Sequence, residues 1–145
     1  MRAIKASPAR PRAKRHVYLL DVLMEIRREA QSGRPMWLFF GSEHFDAMAA
    51  YLTGYVFCCY RNGFQDREWG DFVKWLREVR KQMPEGWARK YVEDSGGNHV
   101  KAMMKFLDYV AEFRALRAKR GTSSARSTPR KGGTGKSTKP LKARG

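Results

Sequence analysis

The chain has 145 residues and a formal net charge of +16, and that charge resides in its two ends: residues 1–16 hold six Lys/Arg, residues 117–145 hold ten, and neither holds Asp or Glu. Residues 17–116 balance fourteen basic against fourteen acidic side chains and contain all eighteen aromatics, which is enough apolar material for one hydrophobic core and too little for two. Neither a secretory leader nor a membrane span is expected, because Asp21 and Glu25 interrupt the first apolar run and the longest uncharged one, Ala47 to Tyr60, falls short of the roughly 20 residues a span needs.

This division predicts a basic, disordered arm at 1–16, a helical domain at 17–116 and a basic, disordered tail at 117–145. Both flanks are too poor in large side chains to offset the entropy of ordering. A first helix begins near His16, with Leu19, Leu20, Leu23, Met24 and Ile26 as its apolar stripe, and ends at Gly33 and Pro35. The run Met36–Phe40 reads either as an extended, buried connector or as a single edge strand. Ser42 suits an N-cap for a second helix over about Glu43–Arg61, closed by Asn62 and Gly63. Its stripe of Phe45, Met48, Leu52, Tyr55 and Cys59, together with the small residues Ala47, Ala50 and Gly54, predicts burial on more than one side and a central place in the fold.

Asp66 is placed to cap a third helix running to Met83, with Trp69, Phe72, Val73, Leu76 and Val79 at helical spacing. Pro84, Glu85 and Gly86 form a turn, Trp87–Asp94 a short helix, and Asn98–Ala118 a last helix with Val100, Met103, Met104, Leu107, Val110 and Phe113 inward. The prediction is an all-α single compact bundle of about four main helices plus one short helix.

Catalytic constellations are missing from the pattern. Cys58 and Cys59 are adjacent, a poor geometry for a mutual disulfide within a helix, and His16, His44 and His99 are too scattered for a zinc site. On one helix His44 and Cys58 stand about 21 Å apart, so they cannot pair; only tertiary packing would bring His99 to either thiol. The segment Gly133–Thr138 resembles the end of a phosphate-binding loop, yet the motif's first glycine falls on Arg130 and no strand precedes it. No cofactor and no metal are expected.

Two binding features remain. Trp75 lies off the main stripe of its helix, so it is either an exposed anchor for a protein partner or a sign that this helix is covered on two sides. The basic ends offer Arg10, Arg12, Lys14, Arg15, Arg117, Lys119, Arg120, Arg130, Lys131, Lys136, Lys139, Lys142 and Arg144 to a polyanion. Without aromatics, the ends would bind by counterion release and not by base stacking.

The segments Arg34-Pro35-Met36-Trp37-Leu38, Gly41, and Tyr51-Leu52-Thr53-Gly54-Tyr55-Val56-Phe57 resemble a family of small uncharacterised bacterial proteins. Its members carry an Arg-Pro-Gly-Met-Tyr-Leu-Gly segment, a Phe-Leu-x-Gly-Tyr helix, a Trp-rich helix and a C-terminal helix with a Phe-containing stripe. The present chain lacks the glycine after Pro35 and inserts Phe39 and Phe40 before Gly41. The resemblance implies a compact intracellular helical domain with protein-binding roles such as toxin neutralisation, and it carries over no site residue. The expectation is a cytoplasmic, non-enzymatic helical protein-interaction module with an unidentified protein partner and polyanion-binding tails. Its alternative is a sequence-nonspecific nucleic-acid-associated protein acting through those tails.

Overall fold

A computed structural model of the chain describes residues 17–82 and 86–125, with side chains to residue 120. Among the described residues there are six helices and no strand: α1 (Leu19–Gln31), α2 (Trp37–Phe40), α3 (Phe45–Arg61), α4 (Arg67–Glu78), α5 (Trp87–Glu93) and α6 (His99–Ala125). The all-α bundle expected from the periodicity is therefore what the chain adopts.

In α1, Leu19, Leu20, Leu23 and Ile26 are buried along one face. The helix is closed by paired bonds from Gly33 N–H to the Ala30 carbonyl and from Arg34 N–H to the Glu29 carbonyl. Glycine serves there because φ reaches +98°. The run after Pro35 is neither strand nor connector. Met36 plugs into the core, the next four residues make the single turn of α2, and Gly41 at φ +74° ends it.

The center of the bundle is α6, which corrects the expectation for α3. α6 packs on α1, α3, α4 and α5, and buries Ala102, Met103, Phe106, Leu107, Val110 and Phe113. It runs antiparallel to α1, as shown by Arg114 pairing with Asp21 at 2.7 Å and Arg27 with Asp108 at 2.9 Å. α3 buries only Phe45, Met48 and Leu52, all on one side. Phe106 joins two aromatic groups: its ring centroid lies 5.7 Å from Phe72, 5.7 Å from Trp87 and 5.8 Å from Tyr91.

Two boundaries also move. α4 stops at Glu78, short of Met83, because Val79 already faces solvent and the chain turns at Lys81 with φ +53°. α6 continues to Ala125, beyond the limit at residue 116 that the charge pattern suggested for the domain.

Candidate functional site

The N-terminus of α1 and the last turns of α6 occupy the same end of the bundle. Arg114 holds them together by bonding Asp21 on α1 and, at 2.6 Å, Glu68 on α4. Burial opposes the guanidinium charge, but those two carboxylates outweigh it and hold the Arg114 pKa above its ordinary value. Beyond Arg114, α6 runs eleven residues further to Ala125, about 16 Å at 1.5 Å per residue. Residues 115–120 are exposed along it.

Of the basic residues singled out by sequence, Arg117, Lys119 and Arg120 lie on this extension. Arg117 is not an uncompensated tail charge: it reaches Asp71 at 3.4 Å and lies over the Phe113 ring. Arg10, Arg12, Lys14, Arg15, Arg130, Lys131, Lys136, Lys139, Lys142 and Arg144 lie outside the described residues.

A hub that the sequence only half revealed sits at the same end. Asp66 caps α4, its Oδ1 accepting from Trp69 N–H at 3.0 Å. Its Oδ2 accepts from Leu19 N–H at 3.1 Å, so the same carboxylate also satisfies the first turn of α1. The Tyr55 hydroxyl donates to that oxygen at 2.8 Å. Burial, then the bonds to Asp66 and Cys59, push the Tyr55 hydroxyl pKa up. A groove of about 410 Å³ opens beside this cluster, lined by Tyr55, Cys59, Tyr60, Phe64 and Trp69 among others. The carboxylate thereby ties the starts of α1 and α4 to the middle of α3.

His44 and His99 are at the other end of α3. His99 Nδ1 accepts from Phe45 N–H at 3.1 Å, which caps α3 from 54 positions away and leaves the ring proton on Nε2. Ser42 does not cap α3 as predicted. The N-cap position belongs to His44, whose N–H donates to Ser42 Oγ at 3.0 Å, and whose ring meets His99 edge-on at 4.7 Å. From Phe45 to Cys59 is about 21 Å along the helix, so His99 and the free thiols of Cys58 and Cys59 stand apart. Among the described residues no three His, Cys, Asp or Glu side chains gather as metal ligands.

Trp75 is half-buried, resolving the two readings of its position in favour of a helix covered on two sides. Its ring packs on Phe72, Tyr109 and Phe113, and the Arg80 guanidinium lies 5.6 Å from its centroid while pairing with Glu112. The outward aromatics are instead on α3, where Phe57 is 63% and Tyr60 80% exposed. The signal for them was present in sequence, since α3 carries more apolar positions than one buried stripe can use. Trp37 and Leu38 of α2 add exposed apolar surface nearby in the chain.

No helix of the described residues is long and apolar enough to cross a membrane. Comparison with protein-family models, curated proteins and solved structures finds no match to this chain.

Proposed function

We propose that this chain is a non-enzymatic helical interaction module, which receives a protein partner on its surface and attaches to polyanions through its basic ends. The observation that carries this reading is the outer face of α3, where Phe57 and Tyr60 are largely exposed. Buried aromatics dominate the energetics of protein interfaces, and a fold that exposes two on one helix retains apolar surface beyond what its own core uses. A toxin-neutralising role, as the family resemblance implies, would draw on the same face. Cytoplasmic residence is part of the proposal and suits two unpaired thiols, Cys58 and Cys59.

The test is retention of proteins from a host extract by the immobilised full chain and by Phe57→Glu and Tyr60→Glu variants with unchanged circular dichroism. A partner held by the parent and released by both variants supports the face. An identical set of retained proteins in all three would overturn it.

One observation favours the nucleic-acid alternative as a second activity: the described chain enters and leaves the bundle at one end, so the two basic segments attach to a common pole. Their Lys/Arg, Arg117 on Asp71 apart, would then act on one stretch of phosphate backbone. The logarithm of the duplex DNA affinity should fall linearly with the logarithm of salt concentration, with a slope of roughly 0.9 per phosphate neutralised. Affinity indifferent to salt would refute it.

A further inference from the structure

α3 carries no charged side chain between Asp46 and Arg61. At about 100° per residue, those two end residues share the outer face with Ala50, Thr53, Gly54 and Phe57. All six are exposed. Among the described residues neither Asp46 nor Arg61 makes an ion pair within the bundle. Gly54 is equally unexplained by the fold. Its φ is not positive and a Cβ there would meet nothing within 4 Å, although glycine is the least favourable residue after proline for a helix interior.

We propose that this face is a self-association surface, on which α3 of one copy packs antiparallel against α3 of a second about a twofold axis between Thr53 and Gly54. The inference rests on the interaction-module reading and names the partner as another copy of this chain. In this register every member of the face meets another member. Asp46 of each copy falls opposite Arg61 of the other, giving two identical charge pairs at the two ends of the contact. Phe57 of each copy lies over Ala50 of the other, large against small, and Gly54 lets the helices approach at the center.

Parallel packing of the same faces would place Asp46 beside Asp46 and Arg61 beside Arg61, so charge selects the antiparallel order. An isologous contact of this kind closes on itself and forms a dimer without leading to filaments. Each copy carries a formal charge of +16, which opposes association at long range. The dimer therefore tightens as salt rises from about 0.01 M to about 0.15 M and the screening length falls from about 30 Å to about 8 Å. Polyanion binding has the opposite salt dependence.

Sedimentation velocity of the full chain over two decades of concentration, at about 0.15 M salt, tests the proposal against four variants. These are Phe57→Glu, Asp46→Arg, Arg61→Asp and the double reversal Asp46→Arg/Arg61→Asp, each checked by circular dichroism for an intact fold. The parent is expected to form dimers, and Phe57→Glu to remain monomeric throughout. Each single reversal weakens the dimer by about tenfold, and the double reversal restores it to within about threefold, as expected for directly coupled residues. Arg61→Asp is the sharpest arm, because it lowers the repulsive charge of each copy and yet is expected to weaken the dimer.

A parent that stays monomeric, a dimer untouched by Phe57→Glu, or a double reversal no better than its singles overturns the proposal. If the parent is monomeric but captures a different protein or an anionic lipid vesicle that Phe57→Glu does not, the second-copy assignment falls and, for a captured protein, the module reading stands. If Phe57→Glu alters no association of any kind, both fall.

Discussion

α3 and α6 are the two longest helices, and they distribute hydrophobicity in opposite ways. α3 is uncharged from Ala47 to Tyr60 yet commits only Phe45, Met48 and Leu52 to the buried core. α6 carries Lys101, Lys105, Asp108, Glu112, Arg114 and Arg117, yet lies against four other helices and buries six side chains. Its charged residues reach outward to partners on neighbouring elements, as Asp108 does to Arg27 and Arg114 to Asp21 and Glu68. The contrast teaches that a helix becomes central by having neighbours on several sides, whereas apolar content in excess of those neighbours faces solvent and becomes available for binding.

The largest effect separates the two helices directly. Phe106→Ala, at a site with no exposed surface among Phe72, Trp87 and Tyr91, should cost about 3–5 kcal/mol of unfolding free energy in urea titration followed by circular dichroism. Phe57→Ala on α3 should change stability by less than about 0.5 kcal/mol under the same conditions, in dilute solution where the chain is monomeric. Equal losses at the two positions would show that the α3 face is covered from within.

Asp66→Ala comes next, at about 2–4 kcal/mol in the same titration, because one carboxylate satisfies Trp69 N–H, Leu19 N–H and the Tyr55 hydroxyl. The loss should well exceed that of an ordinary single N-cap. A loss of about 1 kcal/mol or less would mean that the bonds to Leu19 and Tyr55 contribute little.

Asp66 also marks how far the sequence could be read. Its local role was legible, since a capping residue three positions before Trp69 ahead of an apolar period is a pattern within one helix turn. Its second role, 47 positions away at Leu19, depends on tertiary packing and leaves no local trace. His99 is the same case: it reads as a helix-start residue, and only the fold shows that its ring caps α3 at Phe45. The helices of α1 and α4 were legible because their apolar stripes are narrow and their outer faces charged. α2 was not, because five apolar residues in a row show no period. Trp75 has two readings in sequence for a related reason, as sequence cannot reveal that Arg80 folds back over its ring.

The tyrosines sharpen the comparison between bonded and unbonded polar groups. Tyr55 donates to Asp66, while the Tyr91 hydroxyl is buried on α5 without a hydrogen-bond partner among the described residues. Tyr55→Phe should therefore cost about 1 kcal/mol, and Tyr91→Phe should be neutral or stabilising by up to about that amount. Both hydroxyls are held above their ordinary pKa of 10.0, Tyr91 chiefly by burial and then by the charges of Tyr109 and Asp94. Raised values mean that the folded state keeps its protons longer than the unfolded one. Neither hydroxyl makes stability depend on pH below about pH 10, and beyond it ionisation of the unfolded chain draws the equilibrium toward unfolding, so stability falls as pH climbs. Urea titrations repeated at increasing pH should show this alkaline decline, shallower in either phenylalanine variant. A decline of unchanged steepness in both would place its origin elsewhere.

The smallest effect is the one that joins the two properties of α3. Gly54→Ala adds a methyl group where nothing lies within 4 Å and removes the conformational freedom that disfavours glycine in a helix. The dilute monomer should gain roughly 0.5–1 kcal/mol in unfolding free energy. The same methyl group, at the point of closest approach between two copies, should loosen the dimer seen in sedimentation. Opposite signs in the two measurements would identify Gly54 as a residue kept small for association at the expense of the isolated fold; a monomer made less stable would show that the outer face of α3 is not open to solvent.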